Sequence, residues 1–167
     1  MVSWPLIAIC FLYLGLTALY SLWTPAWEAN DELDHVANIE HILLYGELIP
    51  LRTAAWHETH QPPLYYVLCA GWQRLLGIPG FSPVPPTERV DSTDWNRRRW
   101  FYTHVYSREE HDAAVALHKL RLLSVLFGLG TVLLTYAAGI LGRDDKGIAL
   151  SAASFVAVLP KIGRAFV

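Results

Sequence analysis

The chain has 167 residues, of which 53% are hydrophobic and only 17% are charged, and its mean hydropathy is positive. This composition is more apolar than that of an ordinary soluble domain and points to a membrane. A formal net charge of -2 argues against a general role in binding nucleic acid.

The first element is an uncharged apolar stretch from Pro5 to Trp23. As a helix its nineteen residues would rise about 28 Å, close to the ~30 Å hydrocarbon core of a bilayer. A cleaved signal peptide is the alternative, but the residues before the stretch lack a positive region. The exit, Trp23-Thr24-Pro25-Ala26-Trp27, is also not a small-residue cleavage site. We therefore predict a first transmembrane helix over residues 1–23.

Residues 24–117 are expected to form a large exoplasmic loop. Up to His60 this loop carries seven acidic residues and a single base, Arg52. Cytoplasmic loops collect Lys and Arg, so this lack of bases favours an exoplasmic loop and a cytoplasmic N-terminus. The basic run at 97–99 can also be read as a cytoplasmic anchor, which leaves the side of residues 77–117 open.

An amphipathic helix is predicted near the start of this loop, at about 31–45. Asn30 or Asp31 can cap its N-terminus, and Gly46 can end it. At 100° per residue, apolar side chains fall on one arc of this helix, although two glutamates interrupt it. The opposite arc is polar and contains Asp31, Asp34, His35, Asn38 and His41. This pattern predicts a helix lying at the membrane surface.

A second juxtamembrane helix is predicted at about 62–76. Pro62 and Pro63 suit the first turn of a helix, where a backbone N–H is not needed. Gln73 and Arg74 interrupt its apolar stretch after about fifteen residues, which is short for a membrane span. We therefore predict a half-buried helix beside the membrane and not a crossing.

The C-terminal part holds two further apolar segments. Leu122–Leu141 has twenty residues without a charge and predicts a second transmembrane helix within 118–142. A charged turn at 143–146 leads to a third, incomplete span at 147–167. An end inside such a segment suggests a truncated product of a larger protein. The predicted fold class is therefore an all-α integral membrane protein with two to three transmembrane helices and two juxtamembrane helices.

Cys10 and Cys69 both lie inside apolar runs and have no cysteine partner at short spacing. The pattern indicates neither a disulfide framework nor a thiolate metal site. Both are expected to act as small buried hydrophobic groups.

Two short motifs stand about thirty residues apart: the pair Asp31-Glu32, and the run His60-Gln61-Pro62-Pro63-Leu64-Tyr65-Tyr66. Their arrangement after a first span resembles the N-terminal part of the GT-C membrane glycosyltransferases, in particular the dolichyl-phosphate-mannose and aminoarabinose transferase superfamily. In that family an Asp-Glu pair opens one juxtamembrane helix and a Pro-Pro-Leu motif opens a second. The segment from His118 to Ser124, which leads into the later apolar helices, is also similar. The chain departs from the family in having Gln61, where Lys or His often precedes the two prolines.

The resemblance implies transfer of a sugar from a polyprenyl-phosphate donor to an exoplasmic acceptor, with Asp31 as the catalytic base. Such a reaction needs a base for the acceptor proton and groups that hold the departing phosphate. The residues expected to bind the substrate are Glu32, His60, Gln61 and Tyr65. The simpler alternative is that Asp31 and Glu32 only cap a helix and that His60 is a solvated loop residue.

Asp31 and His35 are spaced at i and i+4, so both could bind one divalent metal ion, although an ordinary helix pair has the same spacing. The expected partners are membrane lipid, a lipid-linked sugar and the remainder of a parent protein. The expected location is the plasma (inner) membrane, and the chain is expected to be too short for activity alone. The alternative function is a small multi-span membrane protein without catalysis.

Overall fold

The computed structural model describes residues 3–24, 32–49, 62–81 and 108–159. These residues form five helices and no strand, so the described part of the chain is all-helical, as predicted. In chain order the helices are α1 (Trp4–Trp23), α2 (Glu32–Tyr45), α3 (Pro63–Leu75), α4 (Arg108–Arg143) and α5 (Lys146–Val158).

The described residues belong to two compact units. The first unit holds α1, α5 and the part of α4 from Arg121 onward, and the second holds α2, α3 and the part of α4 up to Leu120. The two helices expected beside the membrane, at about 31–45 and 62–76, correspond to α2 and α3.

Two helices are long and apolar enough to cross a membrane, over Trp4–Leu22 in α1 and Asp112–Arg143 in α4. In the apolar window of each helix only 11% of the residues are buried. A core helix of a soluble protein would bury most of such a window. Within the described residues, the third predicted span, 147–167, corresponds to α5, whose thirteen residues are too few to cross a bilayer.

The sequence predicted a membrane span within 118–142, whereas α4 is one continuous helix of 36 residues that begins at Arg108. The connecting residues, 118–121, contain neither Gly nor Pro, and Leu, Lys and Arg are strong helix formers. Nothing in this stretch therefore breaks the backbone hydrogen bonds.

Small residues line the packed side of α5, which packs against α1 and closely approaches α4 at Gly139. Ala149, Ala153 and Ala157 recur every four residues on α5, and all three are buried. A Cβ atom added at Gly139 would lie 2.7 Å from the Cα atom of Ala149. Gly139 therefore permits a backbone approach that a larger residue would block, as in other closely packed apolar helices.

Tyr13 connects α1 to α4. Its hydroxyl donates a hydrogen bond of 3.3 Å to the carbonyl oxygen of Val125, and its ring lies over Gly128. Tyr13 belongs to a buried cluster with Val132, Ala153 and Ala157. This cluster includes side chains from all three helices of the unit.

Arg121 is fully buried and caps the C-terminal end of α1. Its Nη1 atom donates to the carbonyl oxygens of Ser21, at 3.2 Å, and Thr24, at 2.9 Å. The last carbonyls of a helix have no partner within the helix and carry partial negative charge. The buried guanidinium of Arg121 gives these carbonyls a hydrogen-bond donor and balances their partial negative charge.

The second unit buries more of α2 than the amphipathic pattern predicted. The apolar residues Val36 and Ile39 are fully buried, but His35 and Asn38 on the polar arc are buried as well. Asn38 Nδ2 donates to the carbonyl oxygen of Asp34, at 2.8 Å, so its burial leaves this donor satisfied. The prediction that α2 presents a polar face was therefore wrong for these two residues.

One exposed apolar surface of this unit lies on α3. Its side chains recur at helical spacing and are all exposed: Leu64, Val67, Leu68 and Leu75. The opposite face, with Tyr66, Cys69, Ala70 and Gln73, is buried. α3 packs against α2, so α3 is the more clearly amphipathic of the two helices in their packed state.

Candidate functional site

Three of the predicted site residues, Asp31, His60 and Gln61, lie outside the residues that the structure describes. Glu32, His35 and Tyr65 lie within them, as does Tyr66, the last residue of the second motif. The site can therefore be built from the first turn of α2 and the first turn of α3.

Glu32 begins α2, and its side chain is fully buried. The first turn of a helix carries partial positive charge and unpaired N–H groups, so it stabilises a carboxylate there. This placement agrees with either role considered for Glu32, a helix-start charge or a substrate-binding acid.

A contact between His35 and Tyr66 joins the helix that follows the Asp31-Glu32 pair to the second motif. His35 Nδ1 lies 2.9 Å from the Tyr66 hydroxyl oxygen, and both side chains are buried. Tyr65 lies beside them, with its ring edge-on to that of Tyr66 at a centroid distance of 6.0 Å. The contact fixes the first turns of α2 and α3 against each other.

The His35–Tyr66 hydrogen bond can be made in two ways, because either partner can supply the proton. When the phenol donates to Nδ1, the imidazole proton lies on Nε2, and when Nδ1–H donates, Nε2 is an acceptor. The pair can thus hold a proton at Nδ1 or at the phenol oxygen. Sequence analysis missed Tyr66 as a partner of His35, although it placed Tyr66 in the second motif and named His35 as a candidate metal ligand.

A second buried polar contact joins α2 and α3 farther along. Gln73 Nε2 donates to Glu40 Oε1, at 2.8 Å, and to the carbonyl oxygen of Pro79, at 3.3 Å. The Gln73 Oε1 atom is buried and has no hydrogen-bond partner within the described ranges. In the sequence, Glu40 and Gln73 each appeared only as a polar interruption of an apolar stretch. That interruption was the signal for a buried polar pair.

Cys69 is fully buried on the face of α3 that packs into the unit. Burial raises the pKa of its thiol to about 12, although a hydrogen bond with the Tyr65 side chain acts in the opposite direction. A thiol with this pKa is almost entirely protonated at neutral pH and is a poor nucleophile. Cys69 is thus a small buried group, as predicted.

The described ranges contain no group of three or more His, Cys, Asp or Glu side chains that could hold a metal ion. Asp31 lies outside those ranges, so a metal ion bound by Asp31 and His35 stays a prediction.

Comparisons with protein-family models, with curated proteins and with solved structures found no match.

Proposed function

We propose that the chain is an integral membrane protein in which α1 and α4 cross the plasma (inner) membrane. The N-terminus lies in the cytoplasm and the loop 24–117 on the exoplasmic side. We further propose that α2 and α3 form one wall of a site for a polyprenyl-phosphate-linked sugar. The parent activity is that of a GT-C glycosyltransferase, which moves the sugar to an exoplasmic acceptor.

The observation that carries this proposal is the 2.9 Å contact between His35 Nδ1 and the Tyr66 hydroxyl oxygen. His35 lies four residues after Asp31 in the sequence, and Tyr66 ends the motif that begins at His60. The contact thus supports a single site built from both motifs, which the sequence alone left thirty residues apart.

The proposed roles follow from charge and position. Asp31, directly before α2, takes the acceptor proton as the anomeric carbon develops positive charge. Glu32, His60, Gln61 and Tyr65 bind the donor, with His60 nearest the departing phosphate. A divalent ion held by Asp31 and His35 would neutralise phosphate charge.

The wall formed by α2 and α3 needs an opposite wall to exclude water from the reacting atoms. We propose that further helices of a parent protein supply it. The outer faces of α1 and α4 carry large exposed apolar side chains, such as Phe11, Leu19, Leu126 and Leu134. These faces suit contact with lipid or with other apolar helices.

Lipid binding by the full chain tests the proposed site without requiring turnover. In phosphatidylcholine nanodiscs, we expect saturable binding of polyprenyl phosphate and much weaker binding of uncharged polyprenol. His60→Ala and Tyr66→Phe should each weaken binding roughly tenfold, the loss of about one charge-assisted hydrogen bond or its equivalent in positioning. His104→Ala, in the same loop, is the matched control. Equal binding of both lipids would contradict the proposal.

The catalytic role is tested in the complete gene product. Asp31→Asn should lower transfer of a labelled sugar from its polyprenyl-phosphate carrier by about 10²- to 10⁴-fold or more, the contribution of a positioned base. Membrane insertion and polyprenyl phosphate binding should not change. If this variant still transfers the sugar at the original rate, Asp31 is not the catalytic base.

The alternative proposal is a small multi-span membrane protein without catalysis. The pairing of Gln73 with Glu40 favours it, because this contact explains two buried polar side chains through packing alone. Polyprenyl phosphate binding separates the two proposals, since only the transferase site requires it.

A further inference from the structure

A hollow in the second unit lies apart from the proposed transferase site. One face of α4 and the segment after α3 line it, through Asp112, Val115, Ala116, Lys119 and Pro79. The four α4 residues are spaced at i, i+3, i+4 and i+7, which places them on one side of the helix. The hollow therefore has an apolar floor with one charged side chain toward each end.

The size of the hollow limits what it can hold. Its volume is about 240 Å³, below the range of about 300–1,000 Å³ that is usual for sites of small molecules. A lipid headgroup of a few heavy atoms fits this volume better than a sugar chain.

The two charges in the hollow are opposite in sign. Asp112 and Lys119 are both exposed, and neither forms an ion pair with any residue in the described part of the chain. They are seven residues apart, about 10 Å along the helix axis, and their side chains form no ion pair with each other. A ligand with an anionic and a cationic group would pair with both.

The position of the hollow in the sequence favours a lipid over a soluble ligand. Lys119 precedes the uncharged stretch Leu122–Leu141 by three residues, about 4.5 Å of helix, within a headgroup layer about 5 to 7 Å thick. Asp112 lies seven residues, about 10 Å, farther from the apolar stretch, so a headgroup that reaches both charges must extend outward along α4. The exposed apolar side chains of α3, Leu64 and Leu75 among them, give the same unit a second surface suited to lipid.

We propose that this hollow binds the headgroup of a phosphatidylethanolamine-type phospholipid. The phosphate, attached to the glycerol, pairs with Lys119, and the terminal ammonium pairs with Asp112. The inference rests on the membrane part of the proposed function and is independent of sugar transfer. It assigns a structural or regulatory lipid to the second unit, separate from any lipid-linked substrate.

Native mass spectrometry of the full chain in detergent micelles tests this assignment. With acyl chains held the same, phosphatidylethanolamine should be retained better than phosphatidylcholine, whose trimethylammonium group has no N–H. Phosphatidylglycerol, which lacks a cation, should be retained least. Lys119→Gln and Asp112→Asn should each lower phosphatidylethanolamine retention roughly tenfold.

Lys146→Gln and Asp144→Asn are matched controls, because both remove an exposed charge in the first unit, and neither should change retention. The assignment would be overturned if the three lipids were retained equally. It would also be overturned if Lys119→Gln retained phosphatidylethanolamine as well as the unaltered chain does. Competition by free phosphoethanolamine at the same concentration would also overturn it in favour of a soluble ligand. Carbonate extraction of membranes tests the membrane proposal separately from the lipid-binding proposal. Release of the chain by carbonate would contradict the membrane proposal.

Discussion

Gln73 provides the hydrogen bond that offsets the free-energy cost of burying Glu40. Its amide nitrogen donates to the buried carboxylate of Glu40. A buried carboxylate without a donor is far less stable than one with a hydrogen bond, whereas a pair of apolar residues of similar size has no such requirement. The pair is therefore expected to behave as a unit in mutational tests.

We predict that Gln73→Leu destabilises the chain by about 1–3 kcal/mol, the cost of leaving a buried polar group unsatisfied. The double variant Glu40→Leu/Gln73→Leu should recover part of this loss, because no buried carboxylate remains. Thermal unfolding followed by circular dichroism in mild detergent measures both. Glu47→Leu, which replaces an exposed carboxylate, is the control and should change stability by less than about 0.5 kcal/mol. Strictly additive losses would show that the two side chains are not coupled.

Cys69 gives a second prediction for a single residue. Burial raises its thiol pKa from 9.0 to about 12, so the folded state keeps the proton over a pH range where the unfolded state loses it. Stability contributed by this group is thus complete below pH 9 and falls as pH rises toward 12.

The reactive thiolate of Cys69 should be roughly a thousandfold scarcer at pH 8 in the folded chain than in the unfolded chain. In a Cys10→Ala background, we therefore expect iodoacetamide to modify Cys69 quickly only after denaturation. Mass spectrometry of samples taken over time provides the rates. If the modification rate is the same before and after denaturation, the Cys69 thiol is accessible in the folded chain and is not buried there.

Among the helices, the approach of α4 to α5 depends on Gly139. A Cβ atom there would meet the backbone of Ala149, which cannot rotate away as a flexible side chain could. Gly130 and Gly142 lie on the same helix, and an added Cβ atom at either would have no neighbour within 4 Å. The three positions thus separate the effect of packing from the effect of helix propensity.

We predict that Gly139→Ala lowers stability by about 1–3 kcal/mol, because the two helices must separate. Gly130→Ala and Gly142→Ala should be neutral or stabilising by up to about 1 kcal/mol, since alanine favours a helix over glycine. The melting temperature of the helical signal compares the three variants. A Gly139→Ala variant as stable as the two controls would contradict the close approach.

For the helices, the sequence was a good guide where local signals decide the outcome. The uncharged stretch of α1, the Pro-Pro start of α3 and the turn before α5 all correspond to observed helix bounds. The continuity of α4 was missed because a change from polar to apolar composition was taken as a boundary, although no helix-breaking residue lies there. A change from polar to apolar composition does not by itself end a helix when no helix-breaking residue is present.

Across the whole molecule, the predictions failed where tertiary contacts decide the outcome. Periodicity assigned His35 to an exposed arc, but a partner on α3 thirty-one residues away buries it. The sequence analysis gave Arg121 no role, yet this residue caps the end of α1 a hundred residues away in the chain. No local pattern contains such partners, so the candidate site could be predicted in its motifs but not in its hydrogen bonds.

The proposed topology places the two ends of α4 on opposite sides of the membrane. Glu47, exposed after α2, should then lie on the exoplasmic side, whereas Lys146, exposed at the first position of α5 beside the turn from α4, should be cytoplasmic. The pair Arg143 and Lys146 at this turn agrees with the excess of bases in cytoplasmic loops.

In a Cys10→Ala background, we expect an impermeant maleimide to label Glu47→Cys in intact cells and to label Lys146→Cys only after permeabilisation. Cys69 should contribute no background, because it is buried in the folded chain. A gel shift of the labelled protein measures each fraction. The reverse pattern would invert the topology and would move α2 and α3 to the cytoplasmic side. Labelling of both positions in intact cells would show instead that α4 does not cross the bilayer, because its ends would share one side.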